Sequence, residues 1–354
     1  MGEGKLRKIL VIRIDFLGDM VCTTPLLHAL RTRWPQAEIH VLANKYNAPV
    51  LDNNNDVNKI HYYVYSKNLQ KNLRPGFFNS LIERFRLIIK LRKLKFDLLI
   101  IPNGGMNKNS ISFAKQLNVP DCRWHNADTE FDDRIKNHVA TRTVEHEAFS
   151  GFKLLPELAK PDLDQLRLCI YPRTDLISAW RERFNGKSKP RVGFFVSNNS
   201  ADRRWAWDKW QELTEKLAEA YEIIIFHSPQ EIFPLSWRDG VGVQRILTPT
   251  IPDLLAAMTQ LNLVVAADSA PVHFSSALQI PVVALFEPRP EKYLRWYPVG
   301  VRNIILHEGK RVNDISVQSV FSAVKELLSG NHFNVSCPDN TQQSQQAEIA
   351  DCIA

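Results

Sequence analysis

Short apolar runs typical of buried β-strands alternate with helical patterns along both halves of this 354-residue chain. Such alternation is the signature of parallel α/β sheets, because a crossover helix must return the chain before the next parallel strand can begin. The sequence therefore predicts two doubly wound α/β domains, at residues 1–170 and 171–330. An irregular, proline-rich stretch at 156–190 is predicted to connect them, and the polar tail at 331–354 is predicted to be disordered.

The predicted strands form two series. Those of the first half are 8–14, 38–42, 59–64 and 96–101, with a helix at 25–33 after the first strand. Those of the second half are 191–196, 222–226, 242–246, 263–267 and 282–286, with helices at 207–220 and 252–261. A final helix at 317–328 could pack on either domain. We expect ligands in a cleft between the carboxyl ends of the two sheets.

Composition narrows the class of protein. With 44% hydrophobic and 23% charged residues, the chain is expected to be globular. No apolar run reaches the roughly 18 residues of a membrane-spanning helix, and the charged start leads directly into a strand, so we expect a cytoplasmic protein. The five cysteines lie far apart without Cys-x-x-Cys spacing, which favours neither a disulfide framework nor a zinc site.

The net charge of +7 indicates an anionic partner, for which a phosphorylated substrate, a membrane surface and nucleic acid all qualify. Nucleic acid is disfavoured because no RNA-binding or zinc-finger motif occurs. Much of the excess charge lies at 67–95, in a helical pattern. This helix either packs one face on the sheet and exposes the other to solvent, or lies on anionic lipid. The residues concerned are Arg84, Arg86, Lys90, Arg92, Lys93 and Lys95, interleaved with Leu81, Phe85, Ile88 and Ile89.

Polar residues follow the first predicted strand. Gly18 permits a tight turn, and Asp19 stands at the start of the next helix. The segment lacks the Gly-x-Gly-x-x-Gly pattern of dinucleotide-binding loops. Asp19 is a candidate general base or a helix cap. Arg13 and Asp15 form a pair that could contact a substrate or serve the fold.

A buried strand of the second half ends at Asp268-Ser269, and Pro271 favours a helix immediately afterwards. The first amides of a helix lack internal partners and carry partial positive charge. This turn is therefore a candidate seat for a phosphate or diphosphate. His273, one turn into the helix, is a candidate for either a structural or a functional role.

Two other strand ends in the second half carry polar residues. Asn198 and Asn199 follow its first strand, and the paired Arg203 and Arg204 come shortly after. Guanidinium groups suit bidentate recognition of phosphate oxygens, although a solvated loop has the same composition. Glu231 follows the next strand, where an exposed carboxylate could accept hydrogen bonds from ribose hydroxyls.

Several blocks of this sequence occur together in a recognisable order: 9–30, 34–39, 203–205, 268–273 and 281–286. In that order they resemble glycosyltransferase family 9, the ADP-heptose:lipopolysaccharide heptosyltransferases and their relatives. The resemblance extends over roughly residues 7–330. It implies a GT-B fold, in which two Rossmann-like domains face each other across a cleft. The first domain would bind mainly the acceptor, and the second mainly the nucleotide sugar.

The resemblance also assigns roles to individual residues. Asp19 matches the catalytic carboxylate of the family's Gly-Asp motif, which would take the proton of the acceptor hydroxyl as that oxygen attacks the anomeric carbon with inversion. Arg203 matches a basic residue, commonly lysine, that faces the diphosphate. Gly18 and Arg13 fall on the acceptor side. The remaining donor-binding positions are Asn198, Asn199, Glu231, Asp268, Ser269, Ala270 and His273.

One position departs from the family pattern. The common form is Asp-Ser/Thr-Gly, whereas this chain has Asp268-Ser269-Ala270. The extra methyl group could restrict the approach of the backbone to the diphosphate, or force a different donor pose. The identity of the donor is therefore left open by the sequence.

The resemblance implies transfer of a heptose from ADP-heptose to the lipopolysaccharide inner core, on a lipid-linked acceptor at the inner face of the cytoplasmic membrane. We expect no obligatory metal or other cofactor, because no carboxylate cluster resembles the Asp-x-Asp metal site of other glycosyltransferases. The alternatives are a transferase with another nucleotide-sugar donor, a sugar-nucleotide epimerase of the same architecture, and a noncatalytic nucleotide-sugar-binding module.

Overall fold

The computed structural model of the protein describes residues 8–126, 135–141, 143–185 and 189–329. The chain forms two compact units. Unit 1 contains Met1–Glu130, Glu147–Pro161 and Cys169–Tyr171, and unit 2 contains Phe131–His146, Asp162–Leu168 and Pro172–Ala354. Between residues 130 and 172, segments of the two units alternate along the chain. The single domain boundary between residues 170 and 171 stays a prediction. The tail at 331–354 lies outside the described residues.

Unit 1 is built on a parallel sheet. Its strands are β1 (Lys8–Arg13), β2 (Glu38–Ala43), β3 (Lys59–Tyr62), β4 (Leu98–Ile101) and β5 (Asp121–Trp124), in the order β3-β2-β1-β4-β5. Its helices include α1 (Leu17–Arg33), α2 (Phe77–Leu94) and α3 (Lys108–Ala114). In the central strand, Ile9 pairs with both Ile39 and Leu98. Residues 9–12 are fully buried, as expected for a parallel strand covered on both faces.

Unit 2 repeats this plan with six parallel strands. They are β6 (Arg191–Phe195), β7 (Glu222–Phe226), β8 (Val243–Ile246), β9 (Leu263–Ala267), β10 (Val282–Leu285) and β11 (Asn303–Leu306), in the order β11-β10-β9-β6-β7-β8. Counted within the unit, this is the strand order of a Rossmann fold. Its helices include α4 (Lys136–Thr141), α5 (Thr174–Arg183), α6 (Trp207–Leu217), α7 (Ile251–Met258), α8 (Ala270–Leu278), α9 (Pro290–Trp296) and α10 (Val317–Leu328).

The last helix, α10, packs within unit 2. It contacts α6 and the strands β9, β10 and β11. Val320 and Val324 are fully buried there, in the same apolar cluster as Trp210 and Leu213 of α6. The amphipathic pattern of α10 is thus used to cover one face of the unit 2 sheet.

Helix α1 begins eight residues earlier than the prediction of 25–33, and Pro25 lies inside it. A proline at this position cannot donate to the carbonyl of Val21, four residues earlier. The Thr24 hydroxyl donates to that carbonyl instead, at 2.7 Å. The side chain beside the proline therefore replaces the missing bond, and the helix continues through Pro25.

The sequence prediction also missed two strands, β5 and β11. Each lies at an edge of its sheet, and all four residues of each are only partly buried. An edge strand pairs with only one neighbouring strand and is less buried, so its sequence contains fewer apolar residues than that of a central strand. The predicted fold class is nevertheless confirmed, because both units are parallel α/β sheets. No helix among the described residues is both long and apolar enough to cross a membrane.

Candidate functional site

The strand order of unit 1 reverses at β1, between β2 and β4. In open α/β sheets, ligands bind outside the carboxyl ends of the strands at such a switch point. The turn after β1 carries Asp15, and Gly18 and Asp19 follow in the first turn of α1, where Gly18 has no positive φ. The loop after β4 carries Asn103 and Gly104. Both segments therefore lie where the sheet topology favours a ligand-binding site.

The turn after β1 is held by the buried side chains of Asn44 and Asn47 and by the partly buried Tyr65. Its three successive carbonyl groups accept hydrogen bonds from residues that follow β2 and β3. Asn47 Nδ2 donates to Arg13 O at 3.1 Å, Asn44 Nδ2 to Ile14 O at 2.8 Å and to Asp15 O at 2.7 Å, and the Tyr65 hydroxyl to Ile14 O at 2.8 Å. Because the backbone is fixed in this way, the side chains on the turn are presented in a defined position.

Arg13 connects three carboxylates in this turn. Its Nε donates to Asp15 Oδ1 at 2.9 Å, and its Nη2 donates to Asp19 Oδ1 at 2.5 Å and to Glu147 Oε1 at 2.9 Å. The Arg13 side chain is only 1% exposed, so these carboxylates replace the water that it would otherwise bind. One guanidinium cannot neutralise three ionised carboxylates. The cluster therefore holds an excess of acidic groups.

Asp15 and Asp19 are both partly open, each with 14% of the side chain exposed, whereas the Glu147 side chain is 1% exposed. Burial raises the pKa of Asp19 to about 7, and the Asp15 carboxylate adds to this shift while Arg13 opposes it. Asp19 lies in the first turn of α1, but the N-cap of that helix is Phe16. The carboxylate binds Arg13 and does not cap the helix, so the helix-cap interpretation is wrong.

Two residues of this cluster were not predicted from the sequence. Glu147 is buried in a short 3₁₀ helix, Glu147–Phe149, and its Oε1 also accepts from the Gly104 amide at 3.1 Å. Asn103 donates through Nδ2 to Asp15 Oδ2, and its Oδ1 has no partner among the described residues. Both lie far from Asp19 in the chain and outside any repeated pattern. Only the apolar Ala148 and Phe149 next to Glu147 hint at its burial.

Unit 2 has its own switch point, where β6 lies between β9 and β7. Three predicted residues meet there. Arg203 Nη1 donates to Asp268 O at 3.1 Å and to Asp268 Oδ2 at 3.3 Å. Asn198 Nδ2 donates to the same carbonyl, also at 3.1 Å. The loop after β6 and the turn after β9 are thereby joined through Asp268.

Asp268 is buried, whereas the Arg203 side chain is 32% exposed. Burial raises the pKa of Asp268, although the positive charges of Arg203 and Lys292 oppose the shift. The exposed part of Arg203 remains available to a further anion. The structure therefore provides one anchored cation at this strand end.

Helix α8 begins directly after this turn. Ser269 is its N-cap, but the Ser269 hydroxyl donates back to Ala267 O at 2.7 Å and does not cap the helix amides. Ala270 is the first helical residue and has no positive φ. His273 is buried one turn further on, edge to face with Trp296 at 5.9 Å between ring centroids. Pro271 has no amide proton, and the Val272 amide donates to Ser269 O at 3.1 Å, so the Ala270 amide is left to bind an anion at this uncapped helix start.

Among the described residues, neither of the other two predicted donor residues hydrogen-bonds Arg203 or Asp268. Asn199 is exposed. Glu231 lies in the turn after β7, where its amide donates to Ser228 O at 3.1 Å. In the part of the chain that is described, no hydrogen bond or ion pair involves the Glu231 carboxylate. The ribose contact expected for Glu231 stays a prediction.

In the described ranges, no group of three or more histidine, cysteine, aspartate or glutamate side chains is placed to hold a metal ion. The chain does contain one Asp-x-Asp spacing, at Asp162 and Asp164, contrary to the expectation that no carboxylates resemble that motif. Both residues are exposed in a loop of unit 2.

Comparison with known proteins identifies relatives over most of the chain. The sequence model of glycosyltransferase family 9 (heptosyltransferase) matches residues 84–323. Lipopolysaccharide heptosyltransferase 3 of Escherichia coli is 24% identical over 287 residues, which cover 77% of this chain and 81% of that protein. Lipopolysaccharide heptosyltransferase 2 of Salmonella typhimurium is 24% identical over 303 residues, or 79% of this chain and 83% of that protein.

Solved structures show the same architecture. A glycosyl transferase family 9 protein from Veillonella parvula has a TM-score of 0.75 at 19% identity, over 93% of this chain and 99% of that one. ADP-heptose lipopolysaccharide heptosyltransferase II of Escherichia coli has a TM-score of 0.63 at 21% identity, over 91% and 98%. These likenesses confirm the GT-B fold class. Since the family model spans more than half of the sequence, the chain belongs to glycosyltransferase family 9, the heptosyltransferase family.

Proposed function

We propose that this protein is an inverting glycosyltransferase that moves a heptose from ADP-heptose to the lipid-linked inner core of lipopolysaccharide. Membership of the family supports this class of reaction. The relatives named lipopolysaccharide heptosyltransferase support the acceptor, and the solved Escherichia coli heptosyltransferase WaaC with ADP supports the nucleotide. In this proposal the enzyme works at the cytoplasmic face of the membrane and needs no metal or other cofactor.

The observation that carries the proposal is the partly open Asp19 carboxylate, whose pKa burial raises to about 7. A carboxylate with this pKa is a much stronger base than an ordinary aspartate and is still ionised in a large fraction of molecules near neutral pH. In one step, the acceptor oxygen would bond to the anomeric carbon while the bond from that carbon to the diphosphate oxygen breaks. The hydroxyl proton would pass to Asp19, and attack from the face opposite the nucleotide would invert the carbon.

The leaving ADP would be stabilised from unit 2. As the bond to the anomeric carbon breaks, negative charge develops on the diphosphate. The guanidinium of Arg203 and the Ala270 amide at the uncapped start of α8 are suited to bind that charge. Asp268 would serve this step by holding Arg203 in place.

Purified full-length protein would test the proposal in a transfer assay with ADP-, UDP- and GDP-sugars and a lipopolysaccharide core acceptor, read by the mass of the acceptor. We expect addition of one heptose from ADP-heptose, with inversion at the anomeric carbon. Absence of transfer from every donor by folded protein would reject the proposal. A changed sugar nucleotide with donor alone would favour the epimerase.

Asp19→Asn tests the base separately. It should lower the rate of transfer by about 10²- to 10⁴-fold and leave the affinity for ADP unchanged. Asp208→Asn is the matched control, because Asp208 is also an acidic residue in the first turn of a helix, α6, and is exposed. An equal rate for Asp19→Asn and the unaltered protein would remove Asp19 from the mechanism.

A further inference from the structure

Helix α2 presents a row of large apolar side chains to solvent. Phe78, Leu81, Ile82, Phe85 and Ile89 are 77%, 50%, 50%, 65% and 37% exposed. Their spacing of three or four residues places them on one face of the helix. Phe77 and Leu73, just before this row, are each 59% exposed as well. Together these residues form a continuous exposed patch, which is unlike the isolated apolar residues common on soluble surfaces.

This apolar row is not the face that attaches α2 to unit 1. The buried residues of the helix are Ser80, Leu87 and Leu91. Leu87 and Leu91 belong to the apolar cluster of unit 1 and lie on the opposite side of the helix from Phe78 and Phe85. The interpretation that the helix packs one face on the sheet is therefore confirmed, and Leu81, Phe85 and Ile89 lie on its exposed face. The helix has two apolar faces, and the fold uses one of them.

Basic side chains border the exposed apolar row. Arg86, Lys90 and Lys93 are all exposed beside it. Residues 67–95 contain nine basic residues and one acidic residue, a net charge of 9 − 1 = +8, while the whole chain has +7. The positive charge of the protein is thus concentrated in the segment that also exposes the apolar row. Its partner should offer both an apolar phase and negative charge.

We propose that the exposed face of α2 docks on a lipid bilayer that carries anionic headgroups. The helix lies in the plane of the interface, with Phe78, Leu81, Ile82, Phe85 and Ile89 inserted at the boundary between headgroups and acyl chains. Arg86, Lys90 and Lys93 bind the headgroup phosphates beside it. A second copy of the chain fits less well, because a two-fold contact would bring two faces of the same strong positive charge together.

This inference names the residues that hold the enzyme at a membrane, and it does not depend on which sugar is transferred. Its test is therefore separate from the transfer assay. The full-length chain is mixed with vesicles of phosphatidylethanolamine and phosphatidylglycerol, or with vesicles of phosphatidylcholine alone, and the bound fraction is measured by flotation. We expect binding to the anionic vesicles that weakens as salt is raised.

Two sets of variants divide the apolar from the basic contribution. In the apolar variant, Phe78→Ser is combined with Phe85→Ser. In the basic variant, Arg86→Gln, Lys90→Gln and Lys93→Gln are combined. Arg84 and Arg92 are left unchanged because they donate to Val64 O and Gln116 O within unit 1. All five altered side chains are exposed, so the variants should fold, which their thermal melting checks.

Matched controls alter exposed residues of the same kinds in unit 2. Leu235→Ser with Val241→Ser removes two fully exposed apolar side chains, and Lys216→Gln, Lys310→Gln and Lys325→Gln removes three exposed charges. Each basic residue near an anionic surface contributes about fivefold in affinity, so the basic variant should bind on the order of a hundredfold more weakly. The apolar variant should also lose binding, and both controls should retain it.

Equal binding by the α2 variants and the unaltered protein would overturn the proposal, as would equal losses in the controls. Light scattering, which measures the oligomeric state, tests the main alternative, in which a second copy of the chain covers this face. A dimer that the apolar variant abolishes, in a protein that does not bind vesicles, would assign the face to a second copy of the chain and reject the bilayer.

Discussion

The Arg13 guanidinium and the Asp19 carboxylate form an ion pair of 2.5 Å across the turn between β1 and α1. In isolation such a pair would lower the pKa of the carboxyl group. Here burial is the larger effect, and Arg13 also binds the Asp15 and Glu147 carboxylates. The arginine therefore orients Asp19 without holding it fully ionised. This combination of a fixed position and a raised pKa is what a general base for a hydroxyl group requires.

The pH dependence of transfer should report this group. A general base acts in its ionised form, and burial raises the pKa of Asp19 to about 7. The value of kcat/KM should therefore rise about tenfold per pH unit below 7 and level off above it. The measurement is kcat/KM for the acceptor from pH 5 to pH 9, with donor saturating. A profile that is flat from pH 5 upwards would mean that the essential carboxylate has an ordinary pKa or that no carboxylate is essential.

Glu147→Gln should shift this profile to lower pH. The negative charge of Glu147 raises the pKa of Asp19, so its removal lowers that pKa and extends activity into more acidic solution. Glutamine has the shape of glutamate and can still accept from Arg13 and the Gly104 amide. We expect a shifted acidic limb in kcat/KM with retained folding.

Ser150→Ala is the matched control for Glu147→Gln. It removes the 3.3 Å hydrogen bond from Ser150 Oγ to Glu147 Oε2 and changes no charge. Its pH profile should coincide with that of the unaltered protein. If Glu147→Gln lowers activity at every pH by the same factor, Glu147 supports the fold and does not tune Asp19.

The sequence predicted the central strands of both sheets but missed two of the four edge strands, for a physical reason. Central strands such as β1 and β9 are buried on both faces and must be apolar throughout, so they stand out in the sequence. The edge strands β5 and β11 are only partly buried and resemble loops. The start of α1 was missed because Pro25 is usually excluded from helix interiors, and the compensating bond from Thr24 is visible only in three dimensions.

The residues of the candidate site also divide into those that the sequence predicted and those that it did not. Asp268 directly follows a predicted strand and Asp19 lies shortly after another, so their placement could be inferred from parallel topology. Glu147 approaches Arg13 from 134 residues away in the chain, in a segment without regular pattern. The outward apolar face of α2 was also hidden, because helical spacing alone does not reveal which of two apolar faces meets the sheet.

Arg203 should be needed mainly for departure of the nucleotide. Its Nη1 donates to two oxygen atoms of Asp268, and within the described residues the rest of its guanidinium makes no hydrogen bond and can meet the diphosphate. Arg203→Ala should lower kcat by about 10²- to 10³-fold, and Arg203→Lys, which keeps the charge, should lower kcat by a smaller factor.

Arg181→Ala, at an exposed position of α5, is the control and should leave kcat unchanged. Single-turnover kinetics measure the chemical step. Similar losses in the lysine and alanine variants would mean that geometry, more than charge, is required.

Ala270→Gly tests whether the methyl group at the start of α8 limits donor binding. Ala270 is the first helical residue of α8, which has no side-chain cap. Removing the methyl group should let a diphosphate approach the Ala270 amide more closely, so the Kd for ADP should fall several-fold. The substitution should cost at most about 1 kcal/mol of stability, because glycine is a poorer helix former than alanine. Titration calorimetry with ADP, and with UDP for comparison, measures the effect.

Ala179→Gly, at an exposed interior position of α5, is the control for Ala270→Gly, because it also replaces a helical alanine by glycine, and it should leave ADP binding unchanged. An unchanged or higher Kd for ADP in Ala270→Gly would show that the methyl group does not obstruct the diphosphate.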